Sequence, residues 1–159
     1  MCIRDRTEDA LVFSCEFLKL KIDRDAKQSL LGEYRRLAVF ADVFRSFNRF
    51  SGRKLAILSN GSPDMLDPLV AQSGLAFDAV LSVDELKVYK PAPEVYQLAV
   101  DRLKTPKEEI GFVSSNGWDA QGAKSFGFTV YWINRAGAPV DRLGFEPDKI
   151  VQSLDEILL

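Results

Sequence analysis

Apolar positions recur along this chain in two rhythms, and the change from one to the other divides it. Leu11, Cys15 and Leu18 are spaced i, i+4, i+7, as are Leu30, Tyr34 and Leu37. Both patterns predict amphipathic helices. Val43, Phe44, Phe47 and Phe50 continue the helical rhythm to a stop at Ser51-Gly52. From Lys54 onward, short continuous apolar runs alternate with helical patterns. Strands are predicted over 54–59, 79–83, 110–114 and 128–133, with a short fifth over 149–152. Helices are predicted near 64–73, 93–104 and 119–126, with a last one near 153–158. Gly74 and Gly127 stand where the left-handed residue after a helix belongs. Pro68 is costly inside a helix begun at Pro63. The expectation is therefore a regular helix starting at Pro68 with Asp67 as its N-cap, preceded by a turn over 63–66.

Apolar runs of this kind, separated by helices, read as buried parallel strands with right-handed crossovers. The expected fold is α/β, a Rossmann-like parallel sheet core with helices on both faces. In open sheets of this class ligands bind outside the carboxyl ends of the strands. Three of those ends carry chemistry. The first strand runs into Ser59-Asn60-Gly61-Ser62, and the third into Ser114-Ser115-Asn116-Gly117-Trp118-Asp119. The run Leu81-Ser82-Val83 leads to Val88-Tyr89-Lys90-Pro91.

Each residue admits two readings. Ser59 and Asn60 are either turn formers or a hydroxyl and an amide that hold a carboxylate or phosphate beside a helix start. Lys90, kept out of helical geometry by Pro91, is either a solvated surface lysine or a cation at the strand ends. Tyr96 shares a helix face with Ala92, Ala99, Val100 and Leu103, as a core tyrosine would. Asp119 suits a helix N-terminus electrostatically, and Trp118 suits packing. Ser114, Asn116, Trp118 and Asp119 form the densest cluster, and in the alternative reading the Asn116 amide, the Trp118 indole N–H and the helix N-terminus make a small anion pocket.

The composition narrows the chemistry. There is no histidine among the 159 residues, so a Ser-His triad, a Cys-His pair and a histidine-ligated metal are excluded for this chain alone. Acid–base work falls to carboxylates, a lysine or a tyrosine. Cys2 and Cys15 have no metal or redox spacing, consistent with a reducing, cytoplasmic compartment. A net charge of −2 gives no electrostatic footprint for nucleic acid. No apolar run approaches the roughly 20 residues that span a bilayer, and the polar opening MCIRDRTEDA is not a signal peptide. MCIRDR itself fits nothing downstream and resembles a translated sequencing adapter. Residues 1–6 are accordingly read as a foreign prefix.

Four strings, LSNGSPDML, LSVDELKVYKPAPEVYQLA, FVSSNGWDAQGAKSFGF and YWINRAG, resemble in order and spacing the L-2-haloacid dehalogenases, the type II members of the haloacid dehalogenase superfamily. The resemblance is close over 54–159 and loose over 7–53. It implies hydrolysis of short L-2-haloacids to 2-hydroxy acids, with no cofactor and no metal, through an ester on an aspartate nucleophile. It implies that Ser59 and Asn60 hold the substrate carboxylate. Lys90 would pair with the nucleophile and a second carboxylate, and Tyr96 would be an active-site tyrosine. Ser114, Asn116 and Asp119 would position the ester and its water, and Asn116 with Trp118 would contribute to the halide pocket. The expected partners are a 2-haloacid and halide, with no nucleic acid or membrane, and a homodimer through the cap when full length.

The chain departs from the family in one place. The family's opening strand ends in an aspartate within a pattern like Asp-x-Tyr-Gly-Thr. No such string occurs here, and Asp5 and Asp9 follow no apolar strand. The expectation is a chain that begins partway through the helical cap and lacks the nucleophile strand. Residues 7–42 would be a cap remnant and 43–159 the core. A gap or a direct closure would then replace that strand between the strands at 54–59 and 110–114.

Two further functions stay open. A magnesium-dependent phosphatase of the same superfamily needs paired acids at the fourth strand end of the complete sheet, in a pattern like Gly-Asp-x-x-x-Asp, because Mg²⁺ takes hard carboxylate oxygens. That place reads Ser114-Ser115-Asn116-Gly117-Trp118-Asp119, with one acid. A non-catalytic binding or assembly module gains its case from the missing nucleophile.

Overall fold

A computed structural model describes residues 3–157. Residues 1–2 of the expected prefix lie outside the described residues. Two helices, α1 (Ile3–Phe17) and α2 (Arg24–Glu33), form a hairpin in which α2 is capped by the Asp23 side chain accepting from Ala26 N–H at 2.8 Å. Helix α1 runs unbroken through residues 6 and 7, so the prefix boundary coincides with no structural one.

The expected apolar faces of this hairpin are not buried as a core. Of the six periodic residues only Cys15 is buried, while Leu18, Leu30, Tyr34 and Leu37 are exposed. The periodicity identified helices correctly, but the described chain places little against them. Helix α3 (Ala41–Arg49) follows and ends at Phe50, before Gly52 at φ +85°. Its inward face is partly polar, with Asp42 and Ser46 buried.

The core alternates as predicted: β1 (Ala56–Ser59), α4 (Pro63–Ser73), β2 (Ala79–Ser82), α5 (Pro93–Leu103), β3 (Gly111–Ser114), α6 (Gly117–Phe126), β4 (Thr129–Ile133) and β5 (Lys149–Val151). Gly74 and Gly127 end α4 and α6 in the left-handed conformation, at φ +67° and +113°. Two expectations need correction. Helix α4 does not start at Pro68. It starts at Pro63, with Ser62 in the N-cap position and Pro68 inside. Buried Leu66, half-buried Met65 and two bonds to the Ser62 carbonyl fix the first turn before the proline is reached. Pro68 itself is exposed. The described part of the last predicted helix, residues 153–157, holds only a single 3-10 turn at Leu154–Glu156, and residue 158 lies outside the described residues.

All strand pairs are parallel, but the strands form two sheets: β1–β2, in register Ala56 with Ala79, and β3–β4–β5, in register Gly111 with Thr129. No ladder joins β1 to β3. Between them lies a trench of about 720 Å³ lined by Leu55–Leu58 and Gly111–Val113, with Phe47, Phe50 and Ile157 among the side chains that close it. Of the outcomes expected for this place, the gap is the one found. Residues 3–10, which belong to α1, do not fill it.

Side chains alternate across the larger sheet. Phe112, Val130 and Trp132 pack with Tyr96, Leu98 and Ala123 of α5 and α6. Tyr131, Ile133 and Val151 pack on the other side with Phe50, Leu154 and Ile157. Helices α5 and α6 thus cover one face, and Phe50 just after α3, the turn at Leu154–Glu156 and Ile157 cover the other.

Candidate active site

Three side chains converge on one carboxylate at the carboxyl ends of the strands. Asp119, in the first turn of α6, is buried and accepts from Lys90 Nζ (3.0 Å, at Oδ2), Ser114 Oγ (2.8 Å, at Oδ2) and Tyr96 Oη (2.9 Å, at Oδ1). Ser114 is brought there as the last residue of β3, and Tyr96 projects from α5. Lys90 comes from the loop after β2, through a cis Lys90–Pro91 peptide. Its side chain is only 8% exposed, which settles the choice between a surface lysine and a buried cation. The ammonium also lies 4.9 Å from the centroid of the Phe112 ring, which lines the trench.

The remaining residues are placed at the rim. Asn60 accepts from the Lys90 backbone N–H through Oδ1 at 3.0 Å, so its side chain ties the end of β1 to the lysine loop. Ser59 accepts from Gly61 N–H at 2.9 Å. The Asn116 backbone N–H donates to Ser114 Oγ at 3.2 Å, while its exposed side chain makes no capping bond. Trp118 is 39% exposed. Asn60, Lys90, Asp119, Ser114 and Asn116 therefore form one connected chain of contacts. The side chains of Ser59 and Trp118 stand beside it.

Burial lowers the Lys90 ammonium from its ordinary value, and the Asp119 carboxylate opposes that shift. Burial first, then the adjacent carboxylate, pushes the Tyr96 phenol far above its usual range. Tyr96 thus stays a hydroxyl donor at any working pH. Asp119 is the sole carboxylate in the cluster, and the described residues contain no group of three or more metal-ligating acids, cysteines or histidines.

A second cavity, about 580 Å³, separates the α1–α2 hairpin from the strand ends. It is lined by Thr7, Leu11, Leu30, Tyr34, Asn60 and Tyr89, among others. Leu11, Leu30 and Tyr34 entered the sequence reading only as helix-face residues, and Tyr89 only as the neighbour of Lys90. Helical periodicity cannot distinguish a face that packs from one that lines a cleft.

A helical hairpin set over the strand ends of a parallel α/β core, with a buried lysine–carboxylate pair at those ends, places this chain among the haloacid dehalogenase-like hydrolases. It belongs to that family, whose sequence profile matches residues 6–127. Relatives within the family include 2-haloacid dehalogenases. The (S)-2-haloacid dehalogenase of Pseudomonas sp. (strain YL) is 47% identical over 156 residues, covering 96% of this chain and 67% of the relative. The crystal structure of the L-2-haloacid dehalogenase RSc1362 superposes with a TM-score of 0.91 at 41% identity, covering 98% of this chain and 70% of that one. The L-2-haloacid dehalogenase from Xanthobacter autotrophicus, solved with chloropropionic acid covalently bound, superposes with a TM-score of 0.86 at 35% identity, covering 97% and 73%.

Proposed function

We propose that this chain serves the hydrolytic dehalogenation of short L-2-haloacids to 2-hydroxy acids. The observation that carries the reading is the buried Lys90–Asp119 pair at the strand ends, with the ammonium 4.9 Å from the ring of Phe112, a wall of the trench, and the Lys90 backbone held by Asn60, a wall of the cleft under the helical hairpin. In this reading a carboxylate oxygen attacks the carbon bearing halogen, the carbon–halogen bond breaks, and halide leaves with its electron pair. Water then adds to the carbonyl carbon of the resulting ester. The 2-hydroxy acid departs, the carboxylate is regenerated and a proton is released.

The proposed roles are those the family resemblance implies, and the gathering of these residues at the strand ends supports them. Ser59 and Asn60 receive the substrate carboxylate beside the start of α4. Lys90 offers its ammonium to the attacking carboxylate while Asp119 holds it from behind. Ser114, Asn116 and Asp119 position the ester and its water, and the Asn116 amide with the Trp118 indole N–H receives halide. Tyr96 is fully buried, so it acts by fixing Asp119 and not by touching substrate.

The attacking carboxylate is the open part of this scheme. Asp9 is exposed on α1 and pairs with Arg6 at 3.4 Å, and Asp119 already accepts three hydrogen bonds. We read the nucleophile as an aspartate on an extended segment lying in the trench, its last residue opposite Lys90. On this reading the chain as written gives no turnover, a version carrying such a segment is active, and 7–42 is a cap remnant beside a core over 43–159. The reaction is metal-independent, the protein works in the cytoplasm, and the cap supplies a homodimer contact.

The test is halide release from 2-chloropropionate in the presence of EDTA. The chain extended upstream by a strand ending in Asp-x-Tyr-Gly-Thr is expected to release halide, and the chain as written is not. Phosphatase activity requiring Mg²⁺, without halide release, would replace this reading with the phosphatase alternative. Neither activity in the extended chain would favour a binding module.

A further inference from the structure

We propose that Gly122 is a positioning residue of this site, the point at which the absence of a side chain lets α6 carry Asp119 into contact with Lys90 and Tyr96. The inference rests on the reading of Lys90 and Asp119 as the working pair. Gly122 lies one helical turn beyond Asp119, on the same face of α6. A Cβ built there would stand 2.6 Å from Pro91 Cβ and 2.6 Å from Tyr96 Oη. Both distances are far inside van der Waals contact, and neither obstacle is the loose end of a flexible chain. The first belongs to a proline ring directly after Lys90. The second is the hydroxyl of a tyrosine with no exposed surface, ringed by Phe112, Phe126 and Phe128 at centroid distances of 5.7, 5.7 and 6.0 Å.

The three elements that meet at Gly122 bear three members of the cluster: α6 holds Asp119, the proline loop Lys90, and α5 Tyr96. Lys90 is also held by Asn60 Oδ1, which accepts from its backbone N–H at 3.0 Å. A shift of the loop away from a methyl group at position 122 would work against that bond. Any displacement that relieves the clash lengthens the 3.0 Å Lys90–Asp119 contact or the 2.9 Å Tyr96–Asp119 contact. The glycine is otherwise a poor choice, because alanine is the better residue for a helix interior.

The test reads the Tyr96–Asp119 bond itself and needs no turnover, so it separates failure of this inference from failure of the dehalogenase reading. The buried hydroxyl proton of Tyr96, followed by NMR in the chain with ring-labelled tyrosine and assigned by its loss in Y96F, is expected as a slowly exchanging downfield signal. In G122A that signal is expected to vanish or shift downfield or upfield by well over a line width. In G32A, a glycine-to-alanine change in α2 where a Cβ meets nothing within 4 Å, it stays. It also stays in V151A, which weakens the opposite face of the sheet without touching the cluster. A folded G122A with the unaltered Tyr96 signal overturns the proposal. Should G122A fail to fold, the variant G122A/Y96F/P91G, which removes both atoms the methyl would meet, is expected to recover the folded spectrum. Failure of that variant also overturns the proposal.

Discussion

At the scale of single residues, Asp119 decides what the site is. Its two oxygens accept from an ammonium and two hydroxyls of differing strength, and the order of the mutational effects follows. Asp119→Asn turns an oxygen into an amide donor facing the buried Lys90 ammonium. Breaking a buried pair this way costs about 3–5 kcal/mol. Ser114→Ala removes one hydroxyl donor and costs about 1–3 kcal/mol. Urea unfolding midpoints are expected to fall in that order, and a Ser114→Ala effect as large as that of Asp119→Asn would show that the pair with Lys90 is not the dominant contact. Residue identity made Ser114, Lys90 and Asp119 visible in the sequence, because small hydroxyls, one lysine and one acid follow strand ends. Gly122 was not visible. A glycine inside a helix announces itself only when the neighbours it admits, Pro91 and Tyr96, are known in space.

At the scale of elements, α3 is held to the end of the chain by charge. Asp42 accepts from Arg135 Nη2 at 3.0 and 2.8 Å, from Ser153 Oγ at 3.1 Å and from Leu154 N–H at 2.8 Å. Arg45 and Ser46 both reach Asp155 at 2.8 Å. Burial alone would raise the Asp42 carboxyl, but the bonds from Arg135, Leu154 and Ser153 outweigh it and hold it at about 2, against an ordinary 3.8. The folded carboxyl thus stays ionised where the unfolded one has taken up a proton. Its contribution is complete above about pH 4 and is lost as the pH falls through about 2. Asp42→Asn should flatten the acid limb of a stability–pH curve measured by urea unfolding. Part of the slope should remain, since hydrogen bonds and ion pairs with Lys124 and with Ser46 and Arg45 lower the Asp148 and Asp155 carboxyls in the same direction. An unchanged acid limb would show that the clasp on α3 does not form in solution. In α4, Pro68→Ala should raise the thermal midpoint. It restores a helix hydrogen bond worth part of the ~3 kcal/mol proline penalty, less about 0.4–1 kcal/mol of unfolded-state entropy. Local propensity placed a break at Pro68. Packing of Met65 and Leu66 overrode it, and no local pattern contains that packing.

At the scale of the whole molecule, the split between β1 and β3 is the dominant feature. Both strands present unpaired edges to a trench of about 720 Å³, and Val113 of β3 is 42% exposed where a central parallel strand would be covered. Exposed edges and apolar walls invite association. The isolated chain is therefore expected to bind a hydrophobic dye, to unfold over a broad temperature range and to associate as its concentration rises, as read by fluorescence, calorimetry and light scattering. A sharp, high-temperature transition of a dye-free monomer would show that the trench closes in solution. The sequence by itself determined the alternation of strands and helices, the parallel α/β class, the left-handed glycines that end α4 and α6, and the residues gathered at the strand ends. Each of these is written in local spacing and residue type. Only the tertiary structure decided that Lys90 is buried, that Tyr96 serves Asp119, that the α1–α2 faces line a cleft, and that β1 and β3 stand apart. These depend on which surfaces meet across long separations in the chain, and burial, pairing and close approach are properties of those meetings.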